Sequence, residues 1–281
     1  MTSVGVVVPT RNSGSTLRMC LQSLRAQRHP CQVVVVDNHS SDSTVAIARS
    51  LADQVLVTGP ERSAQRNAGA AVLTTDLLGF VDSDMTLAPE VVQEVVWAAD
   101  AGAEAIIVPE RTVGVGYWAA VRSFERSFYV GDDHVEAARF YSRSLFVALA
   151  GFDEELDAAE DWDLSIRARA VARFARTTAG IEHHEGRVTY LGACSKKGGY
   201  AQGMAKFRTK QGSSVVTGVL SRRYIRQPWR LLAPHPLLGA GLVALKAGEV
   251  AAVSSRLLWQ RTPPAAPSGR GLRGEEMGPH D

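Results

Sequence analysis

The chain has 281 residues, 45% of them hydrophobic and 21% charged, which excludes a disordered chain and suits one large α/β core or a core with an appendage. Its three cysteines, Cys20, Cys31 and Cys194, show neither CxxC nor Cys/His spacing, so no thiolate metal site is expected and a reduced compartment is. The net charge of +2 conceals an asymmetry: residues 1–185 carry 16 Lys or Arg against 25 Asp or Glu, while residues 186–261 carry 13 against one, Glu249.

In chain order, VGVVV (4–8), QVVVV (32–36), QVLV (54–57), LLGFV (77–81) and EAIIV (104–108) are short and rich in apolar, largely β-branched residues, and they predict buried parallel strands. Helices are expected between them. The first follows Ser15, with Leu17, Leu21 and Leu24 on one stripe; the second starts near Ser43, the third covers AQRNAGAAVL (64–73), and the fourth starts at Pro89. This alternation predicts a doubly wound, Rossmann-like sheet that binds ligands outside the carboxyl ends of its strands. The first turn, PTRNSGST, lacks GxGxxG, so hydride transfer with a dinucleotide is not expected. A signal peptide is not expected either, because MTSVGVVVPT lacks a basic start; the expected location is cytoplasmic.

The run GFVDSDM (79–85) delivers Asp82 and Asp84 at its end. Residues i and i+2 of an extended chain share a face, so both carboxylates can converge on one hard divalent cation; the alternative is a polar turn before the next helix. Pro9 and Thr10 end the first strand, and Asp37 ends the second with a carboxylate able to accept from a base N–H or to close an Asx turn. Arg66 and Asn67 lie near the start of a small-residue helix, where an Arg can meet an anionic nucleotide or make a surface ion pair. Seven acids occupy residues 153–163, and most need only complement a helix N-terminus. In IEHHEG (181–186) only one of the two histidines can face a site from a strand.

Taken together, VGVVVPTRN (4–12), VVVVDNHSSDST (33–44), AQRNAGAA (64–71), FVDSDM (80–85), AGFDEEL (150–156) and AEDWDLSIRA (159–168) resemble the ordered motif series of family 2 glycosyltransferases with the GT-A fold. The resemblance spans roughly residues 3–212. It implies transfer of a sugar from a UDP-, GDP- or dTDP-sugar to an acceptor hydroxyl, usually with inversion and with Mn2+ or Mg2+. By resemblance, Pro9, Thr10, Arg11, Asp37, Arg66, Asp82 and Ser83 bind the nucleotide sugar. Asp84, Asp82 and His184 hold the metal, with His183 the alternative to His184. Asp161 is the general base and Glu160 its neighbour, while Asp163 is structural or touches the acceptor. Phe152 and Asp153 line the donor sugar or acceptor, although Phe152 also reads as a hydrophobic anchor and Ala150 replaces the family's first glycine. Trp118 and Trp162 join that set, Trp118 from an aromatic segment at 110–138 that core packing also explains. Lys197 and Tyr200, in SKKGGYAQGMAKFRTKQG (195–212), match a KxxYY-like basic helix that neutralises phosphate, or form a plain solvated helix. QxxRW is absent, so a single sugar addition is expected. A retaining transferase and an inactive nucleotide-sugar binder are the alternatives.

The expected organisation is a catalytic domain at 1–212, with a nucleotide-sugar half (1–108) and an acceptor half (109–212), a basic and apolar helical extension at 213–261, and a disordered tail at 262–281. The apolar part of the extension is interrupted by Pro234, His235, Pro236, Lys246 and Glu249 and is not expected to span a bilayer. Arg222, Arg223, Arg226 and Arg230 with Trp229 suit helices lying at an anionic membrane surface, packed on the catalytic domain, or packed on a second subunit of a homodimer. No nucleic-acid partner is expected.

Overall fold

The computed structural model describes residues 1–133, 135–212, 229 and 233–261, with side chains to residue 256. The expectations for Arg222, Arg223, Arg226 and Arg230 and for the tail at 262–281 lie outside the described residues. The first half runs β1 (Val4–Thr10), α1 (Leu17–Arg25), β2 (Gln32–Asp37), α2 (Thr44–Leu51), β3 (Gln54–Val57), α3 (Arg62–Val72), β4 (Leu77–Phe80), β5 (Met85–Leu87), α4 (Val91–Asp100) and β6 (Ala105–Ile107). The second runs β7 (Glu110–Val115), α5 (Tyr117–Ser127), β8 (Phe140–Ser142), α6 (Arg143–Ala148), α7 (Glu160–Arg169), β9 (Phe174–Arg176), β10 (Ile181–Arg187), α8 (Tyr190–Gly199), α9 (Ala201–Gln211) and α10 (Pro236–Arg261).

The main sheet has the order β3-β2-β1-β4-β8-β6-β9, and within it β8 alone runs antiparallel to its neighbours. Its strands read as continuous apolar runs because both faces are covered. Val6, Val8, Val33 and Val35 pack on α1, α2 and α4 through Leu17, Leu21, Ile47 and Val92. Val7, Val34 and Val36 pack on α3, α6 and α7 through Ala70, Leu145 and Leu164. Each such Val, Leu or Ile side chain, fully removed from water, contributes roughly 1.5–3 kcal/mol. At Gly69 the helix α3 lies so close to β1 that a Cβ would stand 2.4 Å from Val7, which explains the small residues of that helix.

A second sheet, β5-β10-β7, was not foreseen. β10 pairs with β5 antiparallel and with β7 parallel, setting His183 opposite both Met85 and Thr112. This register brings β10 beside the end of the Asp82–Asp84 turn.

The C-terminal helix corrects one expectation. α10 is a continuous 26-residue helix, and Pro236–Arg256 is long and apolar enough, by length and composition, to cross a bilayer. Pro236 begins the helix instead of interrupting it, since a first-turn proline sacrifices no hydrogen bond. Lys246 and Glu249 do not break the helix either, because they turn inward: Lys246 pairs with Glu125 at 2.5 Å and Glu249 approaches Arg122 at 3.7 Å. Leu242 and Leu245 pack with Val121, Phe128 and Cys194 of the α5–α8 region.

Candidate active site

The turn after β4 holds Asp82, Ser83 and Asp84 at the carboxyl end of the main sheet. One oxygen of Asp82 accepts from Arg66 at 2.7 Å and the other from Arg139 at 3.4 Å. The second amino group of Arg66 donates to Glu160 at 2.7 Å. Arg66 is only 3% exposed and lies over the Phe152 ring, 5.2 Å from its centroid. A residue of α3 thus ties the Asp82–Asp84 turn to the acidic start of α7. Burial alone would raise the pKa of Asp82, yet the guanidiniums of Arg66, Arg139 and Arg62 outweigh it and hold the carboxyl far below the usual range.

Asp84 faces the other way and keeps 36% of its side chain exposed. Its Oδ2 is 3.1 Å from Nε2 of His183, whose Nδ1 is 2.8 Å from Glu110. Glu110 accepts from Arg139 at 2.8 Å and from Arg126. These contacts close a circuit, Asp84, His183, Glu110, Arg139, Asp82, in which the two acids of the turn are joined through three other residues. Burial works against a charged His183, but the carboxylates of Asp84 and Glu110 prevail and lift its pKa to about 9.

Asp161 stands beside Glu160 on α7, half-buried. Among the described residues its carboxylate accepts only the Trp162 N–H, at 2.8 Å. Burial, then the neighbouring Glu160 charge, raise its pKa against the pull of Arg139 and Arg66. Asp163, by contrast, is fully buried and held by Arg167, Gln211 and Lys210, a structural post.

Other expected residues are placed differently. The histidine that meets Asp84 is His183, not His184: strand alternation turns His184 to the opposite face, where its Nε2 is 2.9 Å from Thr86 Oγ1. Asp82 has both oxygens engaged by arginines and is not an open ligand. Asp37 is fully buried and accepts from the N–H and hydroxyl of Ser40, the Asx-turn alternative, because its own loop folds back over it. Pro9 is buried and Arg11 exposed. Ser83 donates to Ser13 at 2.9 Å. Among the described residues the buried hydroxyl of Thr10 has no partner, and its carbonyl accepts from Asn38 and Gln65.

Phe152 is 4% exposed and meets Phe80 edge-on at 4.8 Å, so it anchors the core instead of lining an open cleft. The loop before it accommodates Ala150 at a φ of 57°, a left-handed conformation that explains the glycine expected there. Asp153 pairs with Lys210 at 2.5 Å. Trp162 donates to the Val135 carbonyl and packs on Phe207. Trp118 sits between Tyr117 and Tyr190 in the cluster that seats α10. Lys197 keeps exposed surface, and partial desolvation lowers its pKa, with the charge of Glu249 on α10 the largest opposing influence. Tyr200 reaches the centre indirectly, through Arg62, which stacks over its ring at 5.6 Å and stands 4.0 Å from Glu160. Arg62, Glu110 and Arg139 were not anticipated, since no local spacing links them to the motifs.

A cation site can be tested on the donor set. Among the described residues no group of three His, Cys, Asp or Glu forms a ready cage. Asp84 and His183 nevertheless set a carboxylate oxygen beside an imidazole nitrogen that becomes a ligand once an ion displaces its proton, with Asp84 open to solvent, which fits an ion completed by substrate phosphates and water, as Mg2+ sites commonly are.

The family model described as Glycosyl transferase family 2 matches residues 5–147. Over 276 residues the chain is 26% identical to the pre-mycofactocin glycosyltransferase of Mycobacterium tuberculosis (strain ATCC 25618 / H37Rv), covering 90% of this chain and 56% of that protein. The chain spans about half the length of that relative. Its fold resembles the mannosyltransferase PcManGT from Pyrobaculum calidifontis in complex with GDP-Man and Mn2+, with a TM-score of 0.58, 20% identity, and 93% and 81% of the two chains covered. It also resembles S. aureus TarS 1-349 in complex with UDP-GlcNAc, with a TM-score of 0.53, 19% identity and 92% of each chain covered. The architecture is therefore GT-A: a mostly parallel sheet flanked by helices, here followed by a C-terminal helix.

Proposed function

The chain belongs to glycosyl transferase family 2, and from that premise we propose that it moves one sugar, with inversion, from a nucleoside diphosphate sugar to an acceptor hydroxyl. The observation that supports this reading is the double grip of Arg66 on Asp82 and Glu160, which ties the Asp82–Asp84 turn to the helix that bears Asp161. Nucleotide-sugar complexes of proteins with the same fold, PcManGT and TarS, support the donor class.

In this reading Asp161 removes the proton of the acceptor hydroxyl, the acceptor oxygen bonds the anomeric carbon, and the bond from that carbon to the diphosphate breaks with its electron pair leaving on the diphosphate. Its raised pKa makes Asp161 a better base than an ordinary aspartate. Asp84 and His183 are the residues that would hold Mn2+ or Mg2+; bound there, the ion supplies Lewis-acid stabilisation of the departing diphosphate. Arg66 and Arg139 keep Asp82 ionised, and Arg62 adds positive charge at the rim. Glu110 holds His183 with Nε2 toward Asp84. Residues 1–212 form the catalytic unit and 213–261 its extension, in the cytoplasm, where the three free cysteines stay reduced. The absence of QxxRW supports a single addition per encounter.

The test is a thermal-shift screen of UDP-, GDP- and dTDP-sugars with Mn2+, followed by donor turnover and NMR of the product's anomeric configuration. Stabilisation by one donor class, turnover lost on chelation and restored by Mn2+, and an inverted product are expected. Binding without turnover would point to an inactive binder, and a retained configuration to the other stereochemical course.

A further inference from the structure

α10 has two unlike faces. Toward the protein it presents Gly241 and Gly248, where the rings of Tyr117 and Tyr190 fill the space a side chain would need, together with Leu242, Leu245 and Glu249. Tyr117 and Tyr190 donate to the helix carbonyls of Leu237 and Ala244. The outer face carries Leu237, Ala240, Val243, Ala247, Val250 and Ala251, all exposed; Leu237, Val243 and Val250 keep 76%, 61% and 65% of their surface. Their three- and four-residue spacing makes one continuous stripe, roughly 21 Å long at 1.5 Å per residue. The only ionisable side chains between residues 236 and 255 are Lys246 and Glu249, and both are spent on the inner face.

The sequence flanking the stripe carries one sign of charge. Arg222, Arg223, Arg226 and Arg230 precede it in sequence, Arg256 and Arg261 end it, and Glu249 is the only acid between residues 186 and 261. Trp229, at the approach to the helix, is 63% exposed. An aliphatic stripe with no polar group, set in a basic stretch of sequence with an exposed Trp229 before it and an exposed Arg256 after it, complements the acyl boundary and phosphates of an anionic lipid surface. A protein partner that binds through hydrogen bonds or charges would find neither on the stripe.

We propose that the outer face of α10 docks in the plane of an anionic bilayer, the helix lying flat between the lipid and the catalytic unit. Spanning is disfavoured although the length suffices, because a spanning helix must leave Leu242 and Leu245 unpacked and carry Lys246 and Glu249 into the bilayer without Glu125 and Arg122. Docking in the plane keeps every inner contact. It also sets the membrane against the side of the molecule that Arg122 ties to β10, through its 2.8 Å bond to Glu185, two residues after His183. The proposal does not depend on the sugar-transfer reading.

The full chain is floated with vesicles of phosphatidylcholine alone and with vesicles containing phosphatidylglycerol, at low and high salt. Binding to the anionic vesicles only, weakened by salt and released by alkaline carbonate, is expected. The triple variant Leu237→Ser, Val243→Ser, Val250→Ser should keep its melting temperature, because all three sites are exposed, and lose at least about tenfold in vesicle binding. A second variant, with Arg222, Arg223, Arg226 and Arg230 each changed to Gln, should lose the salt-sensitive part and serves if the triple variant does not fold. No binding to anionic vesicles, equal binding by both variants, or resistance to carbonate would each overturn the proposal. So would a wild-type dimer in light scattering that the triple variant abolishes without any vesicle binding, which would assign the stripe to a second copy.

Discussion

Arg66 donates to Asp82 with one guanidinium nitrogen and to Glu160 with the other, each at 2.7 Å, from a position 3% exposed. The two acceptors lie on different elements far apart in sequence, so this one side chain sets the spacing between the Asp82–Asp84 turn and α7. A planar, always charged fork holds two carboxylates in fixed directions, whereas a lysine is a point charge on a flexible stem and fixes such a pair less rigidly.

Removing this fork leaves two poorly solvated carboxylates facing each other. Arg66→Ala is expected to lower stability by about 3–5 kcal/mol, the range for breaking a buried ion pair from one side, read from the urea midpoint. Arg66→Lys should recover only part of that loss. A midpoint unchanged in Arg66→Ala would show that the two contacts are not held in solution.

The circuit through Glu110 makes a prediction about cation affinity. Glu110→Gln removes the charge that fixes His183, and Mn2+ binding, measured by EPR on the free protein, should weaken by ~10–100-fold, as for other partners that orient a ligating histidine. His183→Ala should weaken it further, whereas His184→Ala should leave it near the wild-type value.

Asp161 should trade stability for rate. Its pKa is raised in the folded protein, so its contribution to stability is present below the unfolded value near 4 and is lost as pH rises through the folded value. At neutral pH the carboxylate is therefore a net burden on the fold. Asp161→Asn is expected to raise the melting temperature while reducing kcat by roughly 10²–10⁴-fold, with donor-induced thermal shift preserved. Full activity in this variant would remove Asp161 from the role of base.

The pH profile offers a separate check on the same pair. After burial, the Glu160 charge is the largest influence raising Asp161. In Glu160→Gln the acid limb of the rate profile should move to lower pH, because a neutral neighbour no longer opposes ionisation. A limb that stays in place or moves upward would mean that another group titrates there.

Much of the fold was legible in the sequence. VGVVV and QVVVV could only be strands covered on both faces, since side chains alternate and both sets are apolar, and they are the sheet centre flanked by Leu17, Leu21 and Ala70. The placement of Asp82 and Asp84 after an apolar strand was likewise visible, because it depends on neighbours within a few residues. Their division of labour was not: Asp82 is locked by arginines from α3 and from the segment just before β8, and Asp84 is left open.

What the sequence alone determined was whatever short-range pattern determines: strand and helix identity, their order, and the clustering of acids at the head of α7. The choice of His183 over His184, the recruitment of Glu110 and Arg139, the folding of Asp37 into its own turn and the inward facing of Lys246 and Glu249 were decided by the tertiary structure. Each depends on the register between strands or the rotation of a helix against its neighbours, joining residues as far apart as Asp84 and His183, 99 positions along the chain. Hydrophobic periodicity specifies which face of an element is buried, but which charge meets which across two buried faces is settled only when those faces pack.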